Sequence, residues 1–328
     1  MRNQRKNLTS ILFIGHLAID SIIRFKKTHK PSLGGSVSFG SLALRKYTKN
    51  TKIGIISNLG AINFDKSFLK LFQNKEIDLN GIIWSDTENT NFVLDYFNHS
   101  RSLTLRSRSP NLKFEDIPEE YLTSPPEIIV LVPLCNEISY DYVSYILQHF
   151  PDAYIGIDLQ GFIRKINNGG QVYYIPDEEI ISNIKKIINL IGNKLILKGS
   201  EIEMKLLSGC EELYDVMQCF DQFDTEGIFI MTMGEAGSMI IKKGENLLEI
   251  PAFKPHKVVD ETGAGDVYLA IFLYEFFLSD MSWDSVKSSA YLASAAASYL
   301  VEKKGPSGFK TKEKVIKRTK SRNYIDQV

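Results

Sequence analysis

Short apolar runs that end at a glycine or a polar residue, and recur with helix-length stretches between them, constrain this chain more than any other feature. Ile11 to Gly15, Lys52 to Ser57, Ile128 to Val132, Tyr154 to Asp158, Lys194 to Lys198 and Gly227 to Thr232 all have this form, and Gly81 to Trp84 is a shorter case. Strands of a parallel sheet are covered on both faces, so they are apolar throughout instead of alternating. The stretches between them, Val37 to Tyr47, Asp65 to Gln73, Ser139 to His149, Pro176 to Asn189 and Glu201 to Leu207, predict helices. A single α/β domain across 328 residues accounts for this alternation better than two separate ones.

Two places break the pattern. From Asn91 to Arg106 the apolar residues alternate, with Phe92, Leu94 and Tyr96 on one face, then Leu103 and Leu105. That predicts a half-exposed antiparallel hairpin turning around Asn98-His99-Ser100. With the extended stretch Ile22 to Phe25, it defines inserted segments at about 16–36 and 88–108 that form a lid or an oligomer surface. Gly234-Glu235-Ala236-Gly237 is a tight turn after Thr232, with Met239 to Ile241 as hairpin partner.

Late in the chain stands Val258-Val259-Asp260-Glu261-Thr262-Gly263-Ala264-Gly265-Asp266-Val267-Tyr268. The two β-branched residues predict a strand end, the glycines a tight turn, and the apolar run Val267 to Leu278 a buried helix. The turn therefore delivers a helix N-terminus, whose unpaired amides attract an anion or developing negative charge. Asp266 adds a carboxylate in the first turn. Amides that stabilise a transferring phosphate, beside an acid that accepts a hydroxyl proton, are what phosphoryl transfer to an alcohol requires. Two other readings stand beside this one: Asp266 as a complement to the helix dipole, and Gly263-Ala264-Gly265 as the start of a dinucleotide fingerprint. The fingerprint would place Tyr268 at its third glycine and Asp284 within a helix. No GxxxxGK[ST] phosphate loop is present.

Lys and Arg together equal Asp and Glu at 39 each, so no net charge draws the chain to nucleic acid or a membrane surface, and a small-molecule partner is expected. Cys135, Cys210 and Cys219 form no CxxC pair, and His16, His29, His99, His149 and His256 show no ligand spacing. A disulfide framework and a transition-metal site are thus not expected, and a reducing cytoplasm is. The basic start Met1 to Lys6 precedes an apolar run broken by Gly15, His16 and Asp20, which reads as a first strand and not a secretory leader. The stretch Lys310 to Arg322, within a tail at 309–328, is basic and reads as a solvated terminal helix or arm, with a nucleic-acid patch as the alternative.

Ligands of open α/β sheets gather at the carboxyl ends of the strands. Asp20 follows the first strand there, Gly34 and Gly35 precede a helix where backbone can approach a ligand, and Arg164 follows Asp158-Leu159-Gln160-Gly161-Phe162-Ile163 within reach of a phosphate. The segment Ala293-Ser294-Ala295-Ala296-Ala297, on a helix from Trp283 to Glu302, packs closely against another helix or a purine.

Taken together, these motifs resemble the ribokinase family of carbohydrate kinases, also called the pfkB family. Asp260-Glu261-Thr262-Gly263-Ala264-Gly265-Asp266 is similar to the family's late signature, Gly34-Gly35 to its early di-glycine, and Asp20 to the substrate acid after strand one. Thr232-Met233-Gly234-Glu235-Ala236-Gly237 looks like the nucleotide-side turn, and the alanine-rich helix followed by Gly305-Pro306-Ser307-Gly308 also matches. The order holds from about Ile11 to Gly308.

The resemblance implies a three-layer α/β/α sandwich with a small β-sheet lid and an ATP-dependent kinase acting on a hydroxyl of a sugar, cyclitol or nucleoside. It makes Asp266 the base and the amides of Gly263, Ala264 and Gly265 the anion hole. Asp20, Gly34, Gly35 and Gln160 would hold the acceptor, with Arg164 on the transferred phosphate or substrate, and Asp95, Phe97 and Arg101 would set the acceptor pocket. Ser200 and Glu203 stand at the family's Asn-x-x-Glu motif, so Glu203 would organise Mg²⁺ through water, with Ser200 where the family has asparagine. Thr232, Gly234, Gly237, Thr262 and Ser294 would line the nucleotide, and the lid would carry a homodimer contact; whether a monovalent cation near Asp260 is needed stays open. The lysine and asparagine that follow the di-glycine in true ribokinases are replaced by Ser36-Val37-Ser38-Phe39. A non-catalytic sugar or nucleotide sensor on the same fold is the alternative from another class.

Overall fold

The computed structural model describes residues 9–24, 27–28, 31–97 and 100–325. The expected hairpin tip at Asn98-His99 and the basic start Met1 to Lys6 lie outside these residues, as do the side chains of Phe97 and Arg101.

In chain order, β1 (Thr9–Ile14) leads into β2 (Ala18–Arg24), β3 (Lys27–Thr28) and β4 (Ser32–Gly34), then α1 (Ser36–Tyr47), β5 (Thr51–Gly60), α2 (Lys70–Gln73) and β6 (Asp78–Ser85). The hairpin β7 (Asn91–Phe97) and β8 (Ser100–Ser107) is followed by α3 (Glu119–Thr123), β9 (Ile128–Leu131), α4 (Tyr140–His149), β10 (Tyr154–Asp158) and α5 (Gln160–Ile163). Next come the short pair β11 (Lys165–Ile166) and β12 (Val172–Tyr173), then α6 (Glu178–Ile191), β13 (Leu195–Ser200), α7 (Glu201–Ser208) and α8 (Leu213–Asp221). The chain continues with β14 (Ile228–Thr232), β15 (Ser238–Lys242), β16 (Leu248–Ile250), α9 (Ala264–Leu278), α10 (Trp283–Leu300) and α11 (Lys312–Ser321).

The main sheet runs β16-β15-β14-β13-β10-β9-β1-β5-β6, parallel except where β15 pairs antiparallel with β14 and β16. The parallel strands β1, β5, β9, β10, β13 and β14 are buried on both faces almost throughout, as their apolar runs require, while the edge strand β6 is partly exposed. One face packs on α1, α9 and α10, through Phe13, Val37, Leu269 and Ala293 among others. The opposite face packs on α4, α6, α7 and α8, through Ile129, Ile146, Ile188 and Val216. The result is a three-layer sandwich.

Helix α9 is apolar around its whole circumference, with Leu269, Ile271, Phe272 and Leu273 at most 1% exposed, because the sheet lies on one side and α1 and α10 on the others. The small residues Ala290 and Ala293 of α10 are fully buried and allow that close approach.

The inserted segments form the expected small sheet. β2 lies between β3 and β7, β7 pairs with β8, and β4 also pairs with β2; β2 and β7 are parallel. Phe92 and Leu94 on β7 are both 4% exposed, turned toward the main body with Leu134.

Some expectations fail for identifiable reasons. Val258-Val259 end no strand: Val258 is 61% exposed, and the backbone at Val259 hydrogen-bonds the end of α10. β-propensity there is overridden by tertiary context. The stretch Asp65 to Gln73 is one 3₁₀ turn over Lys66–Leu69 followed by the single turn α2. The basic C-terminal segment is the expected terminal helix, α11, but it is not solvated all round, since Val315 is fully buried and Arg318 is 8% exposed. Val315 and Arg318 are three residues apart, which puts them on one face of α11. Elements without a clear sequence pattern, α8, β16 and the β11–β12 pair, were also missed. Among the described residues, no helix is long and apolar enough to cross a membrane.

Phe272 is fully buried in α9, stacked in a row with Tyr268 and Phe276. Phe272→Ala is expected to reduce the free energy of unfolding by about 3–5 kcal/mol, measured by urea denaturation. A change below about 1 kcal/mol would mean that α9 does not carry the core as described.

Candidate active site

A cavity of about 280 Å³ lies between the small sheet and the carboxyl ends of β10, β13 and β14. The small sheet contributes Asp20, Phe92, Leu94 and Leu103 to its walls. The main body contributes Asp158, Gln160, Arg164, Lys198, Ser200, Glu203 and Thr232, and the start of α9 closes it with Glu261 to Asp266.

The entry into α9 has a steric cause. Gly263 is left-handed at φ 84°, and a Cβ there would come within 2.1 Å of the Phe39 ring. No other residue fits that position without moving the ring. The chain then turns into α9 with Ala264, Gly265 and Asp266 at the helix start; the Ala264 amide donates to Glu261 O at 3.2 Å across the turn, and the Gly265 and Asp266 amides follow at the helix N-terminus.

Asp266 is half-buried in the cavity wall. Burial, first, and the Asp158 carboxylate push its pKa up to about 7, with a hydrogen bond between the two carboxyls working the same way. The Lys198 ammonium and the Ser36 hydroxyl act against that rise.

Lys198 and Asp158 are functional candidates that the sequence reading did not select. β10 and β13 pair in parallel with Asp158 opposite Lys198, and Lys198 Nζ donates to Asp158 Oδ2 at 2.7 Å. Both residues are buried, at 4% and 1% exposure. A Cβ on Gly265 would lie 2.8 Å from Nζ, so the ammonium sits against the turn from within. Burial alone would lower the lysine's pKa, yet Asp158, Glu203 and Asp266 hold it above the ordinary value, so it stays charged. The signal was present as a lysine closing the apolar run Leu195-Ile196-Leu197. Only the strand register reveals its partner.

Ser200 and Glu203 open α7 as a reciprocal cap, with Glu203 Oε2 accepting the Ser200 amide at 2.7 Å. Burial pushes the Glu203 pKa up, against the pull of Lys198. The cap uses one oxygen of Glu203, and the residue also lines the cavity with Ser200 and Glu261. These hard oxygen donors suit Mg²⁺, which retains water and favours few protein ligands.

Of the residues expected at the acceptor, Asp20, Gly35, Gln160 and Arg164 line the cavity. Gly34 sits just behind, where a Cβ would come within 2.2 Å of the Asp20 carboxylate. Arg164 is 5% exposed and held by three groups: Nη1 donates to Leu134 O at 3.0 Å, Nε donates to the Tyr174 hydroxyl at 2.9 Å, and the Phe92 ring lies 5.6 Å from its guanidinium carbon. Of those expected at the nucleotide, Thr232 and Thr262 line the cavity, whereas Gly234, Gly237 and Ser294 do not. The Ser294 hydroxyl donates to Pro251 O at 3.0 Å.

Two other features invite comparison. His16, Cys135 and Glu137 are fully buried within 4.8 Å of one another, a spacing that suits a metal. Their atoms are already engaged, however. Burial pushes the His16 pKa down, so its neutral ring donates from Nε2 to Pro110 O and accepts at Nδ1 from Thr90. The Glu137 carboxylate accepts the amides of His16, Leu134 and Cys135. The cluster pins the root of the small sheet. A more open groove of about 860 Å³ lies between β8, β11 and α6, with Arg164 in its wall too. It is larger than the first cavity but lacks Asp158, Lys198 and Asp266, so the chemistry belongs to the smaller one.

The open sheet thus gathers acids, a buried lysine and a helix N-terminus at the strand carboxyl ends, and known proteins place the chain further. Residues 44–313 match the pfkB family carbohydrate kinase model, and the chain belongs to this family of phosphotransferases that act on hydroxyl acceptors. It is 25% identical over 324 residues to a nucleoside kinase of Methanocaldococcus jannaschii, covering 95% of this chain and 97% of that one. Two solved structures share the ribokinase-like fold. A pyrophosphate-dependent kinase of the ribokinase family, complexed with a pyrophosphate analog and myo-inositol, is 21% identical with a TM-score of 0.71, over 90% of this chain and 96% of that one. The fructokinase from Vibrio cholerae O395, bound to fructose, ADP and calcium, is 16% identical with a TM-score of 0.76, over 95% and 99%.

The Lys198 ammonium opposes the rise of the Asp266 pKa. Lys198→Met is therefore expected to move the Asp266 carboxyl above its value of about 7, read by ¹³C NMR titration of labelled aspartate. An unchanged or lower value would show that the two groups do not interact.

Proposed function

We propose that this kinase transfers the γ-phosphate of ATP to a hydroxyl of a nucleoside. The observation that carries the reading is that one cavity holds the first-turn carboxylate of Asp266, the amides of Gly263 to Gly265 and the Lys198 ammonium, with Asp20 and Arg164 across from them.

In this reading Asp266 accepts the proton of the attacking hydroxyl. A carboxyl with its pKa near 7 takes that proton more readily than an ordinary surface aspartate. The amides of Gly263, Ala264 and Gly265 stabilise charge on the phosphoryl oxygens, and Lys198 adds a fixed positive charge beneath them. Arg164, already oriented by Leu134 and Tyr174, contacts the transferred group or the acceptor. Glu203 and Ser200 would hold Mg²⁺ through water, and the ion would supply charge neutralisation on the donor phosphates. Thr232 and Thr262 meet the phosphate end of the donor, and its nucleoside part extends beyond the cavity past Gly234, Gly237 and Ser294.

The acceptor class rests on the walls. Asp20 offers a carboxylate that accepts two hydrogen bonds from neighbouring hydroxyls, as a ribose diol presents them. Around it Phe39, Phe92, Leu94, Leu103 and Leu134 are apolar. A nucleoside presents a diol at one end, which Asp20 would receive, and a flat base at the other, which these apolar side chains would cover. The similarity to a nucleoside kinase supports the same choice.

A screen of nucleosides, free sugars and inositols, monitored by ADP release with ATP and by phosphate release with pyrophosphate, tests the reading. Nucleosides with ATP are expected to give the highest kcat/KM; a higher value for inositol, or for pyrophosphate as donor, would overturn it. Asp266→Asn is expected to lower kcat by about 10²- to 10⁴-fold with ATP binding largely intact. Because the base must be ionised, kcat/KM of the wild type should fall as pH drops below about 7, and that limb should vanish in Asp266→Asn. Normal turnover in the variant would remove Asp266 as base.

A further inference from the structure

The loop that leads into the anion-hole turn is anchored by a charge cluster with no part in the site described above. Arg318, on α11, donates from Nη2 to Glu302 Oε1 at 2.6 Å and from Nη1 to Ser298 Oγ at 2.9 Å. Its guanidinium carbon lies 3.3 Å from the centroid of the Tyr299 ring. The same Glu302 oxygen accepts the His256 amide at 2.9 Å. Beside it, Val301 O accepts the amides of Val259 and Asp260 at 2.7 and 3.2 Å, and Asp260 Oδ1 accepts the Thr262 amide at 3.1 Å. The loop is thus held at 256, 259 and 260 before the chain reaches Gly263.

The sequence leaves open whether a monovalent cation is needed near Asp260, and two oxygens that such an ion would draw on, Val301 O and Asp260 Oδ1, already accept hydrogen bonds within the loop. A carbonyl oxygen has two lone pairs, and both of those on Val301 O are taken by amides. Asp260 Oδ1 is occupied by Thr262, and the buried Glu302 carboxylate already has a guanidinium against it. The positive charge beside this loop, paired with Glu302, is covalently part of the chain.

We propose that Arg318 is the fixed cation of this loop: it neutralises Glu302, which grips the His256 amide, and thereby positions the Gly263–Gly265 turn without a dissociable monovalent ion. The proposal rests on the anion-hole reading of that turn. Removing Arg318 would leave Glu302 a buried, uncompensated carboxylate that must take a proton or draw in water, and either change loosens its hold on the loop. Arg318 touches no reacting group and is a positioning residue. The C-terminal segment reinforces the same loop, with Lys254 N donating to Asn323 O and Ile325 N donating to Ala252 O, both at 2.9 Å.

The test uses the full chain. Wild-type turnover is expected to be equal in potassium chloride and in tetramethylammonium chloride at matched ionic strength. Arg318→Met should lower kcat by about 10- to 100-fold, as small misplacements of catalytic groups do, with the acceptor KM unchanged, and millimolar guanidinium should restore part of it. Amide exchange over 256–263, followed by mass spectrometry, should accelerate in the variant. Unchanged exchange and unchanged kcat together would overturn the proposal, as would a tenfold or larger dependence of the wild type on potassium, which decides the matter even if the variant fails to fold. Faster exchange with unchanged kcat would uphold the clamp and instead overturn the catalytic reading of the turn.

Discussion

A lysine and an aspartate, placed opposite each other by the pairing of two buried parallel strands, govern the electrostatics of the whole cavity. Taking both charges out of water costs several kcal/mol per ion, and close contact offsets that cost only when the geometry is good. Here the β10–β13 register sets Asp158 against Lys198 at 2.7 Å before any ligand arrives. Three acids, Asp158, Glu203 and Asp266, surround this one ammonium, so their charges are not all compensated. Burial pushes the pKa of both Glu203 and Asp266 up, and the neighbouring Asp158 carboxylate adds to the rise, which takes Asp266 to about 7. A base in that state is a consequence of burial near a like charge, and needs no special feature of Asp266 itself.

The topology explains why these groups meet. Residues 158, 198, 200 and 232 all lie at the carboxyl ends of β10, β13 and β14, which are neighbours in the main sheet though far apart in the chain. A parallel sheet brings such ends to one edge. Helix α9 then enters over that edge with its N-terminus pointing inward, and β2 and β7 carry Asp20 and Phe92 across the opening. The core and the site are therefore not independent: the same packing of α9 against α1 and α10 that buries Phe272 also fixes where Asp266 and the turn sit.

This division also decides what could be read from the sequence. The apolar runs marked β1, β9, β10, β13 and β14, because burial on both faces leaves a local signature in every residue. The turn before α9 was legible because glycine spacing and a first-turn acid are local too. Lys198 was not, since a lysine at the end of an apolar run looks the same whether it meets solvent or an aspartate 40 residues away. Arg318 was hidden in the same way: among lysines and arginines that are mostly exposed, only its placement one helical turn from Val315 hints at a buried face. Val258-Val259 misled in the other direction, because β-branched residues favour strands only where a neighbouring strand is available. Long-range pairing and the packing of polar side chains are where local pattern stops being informative.

The remaining question is why a charged floor should be roofed by apolar side chains. Charges act strongly only where water is excluded, and a roof of Phe92, Leu94 and Leu103 excludes water without offering competing hydrogen bonds. Phe92 has a second contact, with its ring 5.6 Å from the Arg164 guanidinium carbon. An acceptor whose apolar part packs under this roof would press on the same ring that holds Arg164. In the proposed reaction the base of the nucleoside would then do more than bind. It would seal the cavity and hold Arg164 toward the transferring phosphate, so that binding energy from a part of the acceptor remote from the reacting hydroxyl is used at the reacting centre.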